Sequence, residues 1–275
     1  MEVESVELLS AVDDDYGGVV LSVKQPMDST LFSSKLEAYM SNWRQQGKKG
    51  VWIKLPIQHS NLVDSAVQAG FKYHHAEPDY LMLVCWLPDT PDTFPANASH
   101  RVGVGAFVVN NKKEVLVVQE TSGKFGGTGV WKMPTGVVNE GEDICDAAIR
   151  EVKEETGIET KFVEVLSFRQ SHKSFFEKSD LFFVCMLQPQ SFDIKSQASE
   201  IEAAQWMPVK DYAAQAFMHK NELFDFVAKI CISQLDGNYT GFSNLITCTS
   251  SGKKSYLYFN NRDSSHLFAS KHEQA

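Results

Sequence analysis

The sequence has 275 residues, of which 43% are hydrophobic and 22% charged, an ordinary composition for one large or two modest soluble domains. Its formal net charge of −9 argues against general nucleic-acid binding, which depends on a basic surface. The five cysteines are widely spaced, odd in number and without a CxxC pair. They favour neither a disulfide framework nor a structural zinc site, and they fit a reducing compartment.

The composition of the first residues does not predict a targeting signal. The first 18 residues are acidic and lack the basic start and apolar centre of a signal peptide, and they are poor in arginine, unlike a transit peptide. No apolar run approaches the roughly 18 residues that a bilayer-spanning helix needs. We therefore expect a cytoplasmic protein without membrane contact.

The first ninety residues predict a small α/β unit. Its predicted strands are residues 18–24, 51–55, 71–75 and 80–86, and its predicted helices are residues 29–46 and 61–69. The first helix carries apolar side chains at helical spacing, which we interpret as core: Phe32, Leu36, Tyr39 and Trp43. This unit shows no phosphate loop, nucleophile elbow or metal-ligand spacing.

A linker and a second unit follow. Residues 87–99 contain three prolines and mostly polar residues, which is typical of a linker. We predict an accessory domain at residues 1–98, a main domain at 99–240 and a C-terminal extension at 241–275. The main domain predicts strands at residues 100–109, 114–119, 161–172 and 180–187, a strand starting at Trp206 and a helix at residues 221–235. Short strands are predicted at residues 242–247 and 255–259.

The stretch GVVNEGEDICDAAIREVKEETGI, residues 136–158, places seven carboxylates in a loop and the helix that follows. At about 100° per residue, the helix carries one apolar face, formed by Ile144, Ala147, Ala148 and Val152. Glu155 projects near the centre of this face, Glu151 lies on its flank and Glu154 at its edge. A carboxylate on the core side of a helix is costly unless a cation meets it there. Oxygen ligands without Cys or His nearby favour Mg²⁺ or Mn²⁺.

The spacing within this stretch resembles the Nudix box at every defined position: Gly136, Glu142, Arg150, Glu151, Glu154, Glu155 and Gly157. The chain is therefore identified as a member of the Nudix hydrolases. The resemblance implies an α/β (α+β) fold, in which a Nudix α/β/α sandwich with a mixed sheet is preceded by an accessory domain. That first domain resembles half of an acetyltransferase fold. Its implied role is dimerisation, giving a homodimer, or shaping of the substrate cleft.

The resemblance also implies the metal ligands. Glu151 and Glu155 are implied as ligands of Mg²⁺ or Mn²⁺ and Glu154 as a third, with the backbone carbonyl of Thr135 or Gly136 as a further candidate. Glu151 is also a candidate for acting on the attacking water, and the sequence does not separate the two roles.

Other residues of the box have supporting roles. Arg150 is interpreted as orienting a neighbouring glutamate, with substrate binding as its second candidate role. Gly136 and Gly157 are expected to adopt positive φ at the two ends of the helix, and Glu142 to support the loop. Nudix enzymes often place another acid downstream as metal ligand or general base; Glu200 is favoured over Glu202 here, and the alternative is that both are solvated loop acids.

The chain also resembles plant cytosolic Nudix proteins that carry the accessory domain, through the stretches FRQSH, HHAEP and QGKKG. This likeness implies ADP-ribose and NADH as substrates, split to AMP plus ribose 5-phosphate or NMNH. The glycine-rich loop at residues 122–129 is a candidate for closing over phosphates with Lys124, or else a mobile hairpin end. Candidates for an adenine slot are Phe125, Trp131 and Phe168, each of which also fits a core position.

Two other functions stay open on the sequence alone. The first is a sensor that binds ADP-ribose or a dinucleotide without turnover. The second is a broad nucleotide housecleaning pyrophosphatase, which includes cap hydrolysis, because the box defines the reaction and not the leaving group.

Overall fold

The computed structural model describes residues 8–173, 176–197, 199–248, 252–260 and 262. The chain divides into two compact units, Met1–Ser99 and His100–Ala275. None of the helices in these described ranges is both long and apolar enough to cross a membrane.

Over residues 8–99, the first unit is a five-stranded sheet with two helices. Its strands are β1 (Leu9–Asp13), β2 (Val19–Val23), β3 (Gly50–Pro56), β4 (Lys72–Glu77) and β5 (Tyr80–Trp86). Its helices are α1 (Ser29–Gln45) and α2 (Val63–Gln68), and a 3₁₀ turn (Ile57–Leu62) precedes α2. The strand order is β1-β2-β3-β5-β4, in which β2 and β3 are parallel and the other pairs antiparallel.

Helix α1 forms where the sequence predicts it. The Asp28 side chain accepts a hydrogen bond from the N–H of Leu31 at 2.9 Å and so caps the first turn. The predicted apolar stripe is core, with Met40 as an additional member, and Tyr39 stacks on Trp43. The stripe packs against residues from alternate positions of the sheet, such as Leu21 and Ile53.

The second unit contains eight strands and four helices within the described part of the chain. The strands are β6 (His100–Val108), β7 (Glu114–Glu120), β8 (Thr135–Val137), β9 (Thr160–Ser171), β10 (Ser179–Pro189), β11 (Ile201–Pro208), β12 (Ser243–Cys248) and β13 (Lys254–Phe259). The helices are α3 (Ile144–Thr156), α4 (Val209–Ala213), α5 (Ala216–Lys220) and α6 (Glu222–Leu235).

The main sheet of this unit is mixed. Its order is β8-β6-β10-β9, with β6 and β10 parallel and the two outer pairs antiparallel. Strand β10 is therefore central, as its continuous apolar sequence predicts. Strands β7 and β11 form an antiparallel pair, and so do β12 and β13.

Two hydrophobic cores are built from alternate residues of the same strands. Val104, Ala106 and Val108 of β6 pack in one core with Ala147, Ala148 and Val152 of α3. Phe107 of β6 packs in the other core with Ala228 and Cys231 of α6. Helices therefore pack on two cores of a mixed sheet, and the predicted α/β fold is confirmed.

Several elements depart from the prediction. Strand β1 was missed because only Leu9 of its five residues is buried, so its sequence shows no alternation. Trp206 lies well inside β11 and does not start it. The apolar face predicted for α6 consists of Leu223, Phe224, Phe226, Val227 and Ile230. Phe224, Val227 and Ile230 do pack against the core, beside the buried Ala228 and Cys231, whereas Leu223 and Phe226 are 41% and 63% exposed.

The segment after residue 240 joins the second unit. The backbone groups of Phe242 and Val165 exchange two hydrogen bonds, of 3.0 and 2.8 Å, so this segment pairs with β9. The two short strands predicted here are confirmed as β12 and β13. Residues 263–275 of the predicted extension lie outside the described residues.

Candidate active site

Helix α3 directs one acid, Glu155, towards the interior of the protein. It follows Asp143 and ends at Gly157, whose φ of +71° confirms the predicted left-handed residue at this end. Ala148 and Val152 anchor the helix to the sheet, and Glu155 shares their buried face with only 6% of its surface exposed. The face predicted from helical spacing is therefore the one observed.

The buried Glu155 carboxyl is only half satisfied. Its Oε1 accepts a hydrogen bond of 3.3 Å from the backbone N–H of Thr135, on the edge strand β8. Its Oε2 has no hydrogen-bond partner. Burial raises the pKa of Glu155 to about 8, against the opposing effects of the Lys132 ammonium and the Thr135 N–H. A buried oxygen of this kind calls for either a proton or a cation.

Glu151 lies one turn before Glu155, and its carboxyl lies against the backbone of Gly136. A Cβ atom at Gly136 would stand 1.8 Å from the Glu151 Cδ atom. Gly136 does not have positive φ, so the prediction of a left-handed residue there is wrong. A side chain at this position would have to displace the Glu151 carboxyl from the hydrogen bond with Arg150, so the close approach of the acid accounts for the glycine.

Arg150 is held entirely by the protein. Its Nε and Nη2 donate to the two carboxylate oxygens of Glu142 at 2.7 and 2.8 Å, and Nη2 also donates to the carbonyl of Val137 at 2.9 Å. Its Nη1 donates to Glu151 at 2.7 Å and to Glu154 at 3.0 Å. These five hydrogen bonds use all five guanidinium N–H groups, which favours the positioning role over substrate binding.

Glu142 is tied to the loop as well as to the helix. It accepts a hydrogen bond of 2.9 Å from the backbone N–H of Asn139, as expected of a residue that supports the loop. The hydrogen bonds from Arg150 hold the pKa of the Glu142 carboxyl below its usual range, and the Asn139 N–H adds to this effect. Arg150 therefore links the loop, the edge strand and the acids of α3.

Two site residues were missed by sequence reasoning, Glu120 and Lys132. The Lys132 ammonium lies 2.5 Å from a Glu120 carboxylate oxygen and donates to the hydroxyl of Thr135 at 2.6 Å. The backbone of Lys132 pairs with Val118, which brings it beside the end of β7. The only local signal is that Glu120 ends β7, two residues after its apolar run, and this alone does not predict a partner.

The donor set at this site fits a hard divalent cation. The acids of α3 offer only oxygen ligands, and the orphaned Oε2 of Glu155 is already desolvated. Within the described ranges, no three His, Cys, Asp or Glu side chains stand together as a complete ligand set. Glu151 and Glu154 are instead directed to Arg150, and Glu120 to Lys132.

An apolar cavity of about 510 Å³ adjoins the acids. Lys132 and Thr135 line one side of it, and apolar residues of α6, among them Phe226 and Val227, line another. The three aromatic candidates for the adenine slot do not all lie at this cavity. Phe125 and Phe168 line the cavity, whereas Trp131 packs in the core with its backbone bound on both sides by the side-chain amide of Gln215.

The remaining predicted residues are exposed. Lys124 lies in the glycine-rich loop, with its ammonium 5.7 Å from the ring centre of Phe125. Glu200 lies in a turn, where its carbonyl accepts a hydrogen bond from the N–H of Thr121, the residue after Glu120. Glu202 lies at an irregularity in the pairing of β11 with β7. Roles for these three side chains stay predictions.

Comparisons with known families define the class. A family model described as Nudix hydrolase domain matches residues 9–87, and the NUDIX domain model matches residues 99–230. The chain therefore belongs to the Nudix hydrolases, a family that generally uses divalent metal ions.

Its relatives include plant and animal proteins. Nudix hydrolase 2 of Arabidopsis thaliana is 56% identical over 260 residues, which is 94% of this chain and 93% of that protein. Nudix hydrolase 7 of the same plant is 56% identical over 259 residues, 94% of this chain and 92% of that protein. The human protein named Nucleoside diphosphate-linked moiety X motif 6 is 39% identical over 208 residues, 73% of this chain and 65% of its own length.

Solved structures resemble this chain over about half its length. The MutT protein from Methanosarcina mazei is 21% identical, with a TM-score of 0.40 over 52% of this chain and 99% of its own. The NUDIX domain of Shewanella oneidensis NrtR, solved with ADP ribose, is 19% identical, with a TM-score of 0.40 over 53% of this chain and 93% of its own.

Proposed function

We propose that the protein hydrolyses the pyrophosphate bond of nucleoside diphosphates linked to another moiety, with ADP-ribose and NADH as its substrates. The products are AMP plus ribose 5-phosphate or NMNH. The observation that carries this proposal is the buried, half-satisfied Glu155 beside Glu151 on one helix of a Nudix hydrolase. Burying such a carboxyl costs stability, and a site that binds no cation has no need of it.

The residues that would hold Mg²⁺ or Mn²⁺ are Glu151, Glu155 and Glu154, with the Thr135 carbonyl as a further ligand. When bound, the ion supplies charge neutralisation at the pyrophosphate oxygens and lowers the pKa of a coordinated water. Two of these acids are positioned by hydrogen bonds from neighbouring groups: the Thr135 N–H donates to Glu155, and the Arg150 guanidinium donates to Glu151.

Proton removal from the attacking water falls to an acid of this chain. Glu151, Glu200 and Glu202 are the candidates, and they differ in setting. Glu151 is largely buried and hydrogen-bonded to Arg150, whereas Glu200 is exposed. A general base has to reach the water bound among the acids of α3, and Glu151 is itself one of these acids.

The cavity beside the acids suits the nucleoside part of such a substrate. Its volume of about 510 Å³ falls in the ordinary range for ligand pockets, about 300–1,000 Å³. Phe125, Phe168 and Phe226 provide aromatic surface for a flat base, and the Arg169 guanidinium and the Lys132 ammonium are the cations in its lining. This combination favours a ligand with an aromatic base at one end and phosphates at the other.

The test is release of AMP from ADP-ribose and from NADH in the presence of Mg²⁺ or Mn²⁺. We expect turnover by the wild type and a loss of at least about two decades in kcat for Glu151→Gln and Glu155→Gln. Asp146→Asn is the matched control, because Asp146 is an exposed acid of the same helix. Binding of ADP-ribose without AMP release would refute the proposal and indicate a nucleotide sensor. A substrate panel that adds nucleoside triphosphates and capped RNA, compared by kcat/KM, distinguishes this proposal from the broad housecleaning alternative.

We also infer a cytoplasmic location and a homodimer. All five cysteines are free and four of them are buried, which fits a reducing compartment. Light scattering on the whole protein, compared with residues 99–275 alone, tests whether the first domain provides the dimer contact.

A further inference from the structure

Lys132 contacts both the acidic site and the apolar cavity of the second unit. Its side chain is only 12% exposed, and it lines the apolar cavity. Its ammonium pairs with Glu120, whose side chain is 29% exposed, and donates to Thr135. The Thr135 N–H in turn donates to Glu155.

Three acids surround this part of the site, and we call Glu120, Glu151 and Glu155 the acid cluster. Lys132 connects two of these acids, because its ammonium pairs with Glu120 and donates to Thr135, whose N–H donates to Glu155; Glu151 lies one turn before Glu155 on α3. Glu151 already has Arg150 as its partner and Glu120 has Lys132. Glu155 is the member of the cluster without an ion pair, and its buried Oε2 has no hydrogen-bond partner.

We propose that Lys132 is the internal counter-ion of the acid cluster, and that Glu120, the member of the cluster outside the Nudix box, adds to the attraction of this site for a divalent cation. This rests on the proposed function, because it assumes that a divalent cation binds among the acids of α3. Lys132 is a positioning residue here: its positive charge stabilises the acids and opposes the binding of an ion beside them.

Removing the charge of Lys132 and removing the charge of Glu120 should change the affinity for a divalent ion in opposite directions. Removing the Lys132 charge leaves the cluster more negative, so a divalent ion should bind more tightly. Removing the Glu120 charge leaves it less negative, so the ion should bind more weakly. Charges separated by a few ångströms in a partly buried site interact strongly enough to change an affinity by about tenfold.

The experiment measures the affinity for Mn²⁺ alone by calorimetry on the full chain, without nucleotide. We expect Lys132→Met to tighten Mn²⁺ binding about tenfold and Glu120→Gln to weaken it about tenfold. The double variant restores the charge balance, so its affinity should return to within about threefold of the wild type. Lys132→Arg keeps the charge and should leave the affinity close to that of the wild type.

A matched control removes a similar charge elsewhere on the same unit. Lys153 lies on α3, is 59% exposed and pairs with Glu159 at 2.7 Å, so Lys153→Met should leave Mn²⁺ affinity within about twofold. Thermal unfolding with a chelator present shows whether each variant is folded. A purely structural role for Lys132 predicts lower stability with unchanged Mn²⁺ affinity.

The outcomes separate this inference from the proposed function. Normal Mn²⁺ binding and AMP release by the wild type, with Lys132→Met and Glu120→Gln shifted in the same direction or not at all, would overturn the counter-ion role alone. Failure of the wild-type protein to bind Mn²⁺ would overturn both. Opposite shifts, with restoration in the double variant, would support it.

Discussion

Replacing Glu155 with glutamine should stabilise the protein when no divalent ion is present. The folded protein holds the pKa of this carboxyl at about 8, compared with an ordinary value of 4.5. Because the unfolded chain releases the proton at lower pH than the folded protein, the wild type loses stability as pH rises from about 4.5 to about 8. Below this window the folded protein carries the neutral acid without cost. Above it the full cost of the buried charge remains.

The size of the effect follows from that difference. At about 1.36 kcal/mol for each pH unit between the two pKa values, the buried charge costs about 3 kcal/mol at pH 7 and roughly 4 to 5 kcal/mol at pH 9. Glutamine has the same shape and no charge to bury. Glu155→Gln should therefore match the wild type near pH 4.5 and be more stable by about 3 kcal/mol at pH 7.

The assay is denaturant unfolding of both proteins in EDTA at pH 5, 7 and 9, with Asp146→Asn as the control. The wild type should also gain stability from added Mn²⁺, by about 2.7 kcal/mol at a hundredfold excess over the dissociation constant, and Glu155→Gln should gain much less. A variant no more stable than the wild type at pH 9, or a stability difference that does not change with pH, would refute the reasoning.

Three further substitutions test the surrounding contacts. Gly136→Ala should lower kcat/KM by at least about two decades, because its Cβ would overlap the Glu151 carboxyl; near-normal turnover would contradict that contact. Arg150→Met should weaken Mn²⁺ binding by about 10- to 100-fold, since freeing Glu151 and leaving Glu142 unpaired outweighs the added negative charge, and an unchanged affinity would argue against positioning. Glu200→Gln should cost about two to four decades of kcat if Glu200 is the base and almost nothing if it is a surface acid, with the kcat pH profile as the second readout.

The sequence predicts the acid helix well because helical periodicity is a local property. The spacing of Ala147, Ala148 and Val152 is enough to place Glu155 on the buried face, whatever the helix packs against. The left-handed turn at Gly157 is also local, since the chain must leave the helix there. Helical periodicity also predicts correctly that the apolar stripe of α1 lies in the core of the first unit.

Contacts between distant segments are what the sequence does not reveal. Gly136 is required by Glu151, fifteen residues later in the chain, and not by its own backbone conformation. Glu120 and Lys132 meet because the end of β7 pairs with a segment of no regular structure. Likewise, the cavity combines Phe125, Phe168 and Phe226 from a loop, a strand and a helix, so no single pattern encodes it.

We propose that a divalent cation binds among the acids of α3, around the buried Glu155. The most direct measurement is an anomalous difference map, recorded at the manganese edge, from crystals grown with Mn²⁺ and a non-hydrolysable ADP-ribose analogue. We expect a peak bonded to carboxylate oxygens of both Glu151 and Glu155, with the diphosphate beside it. A fully bound analogue with no peak at these two residues would contradict it.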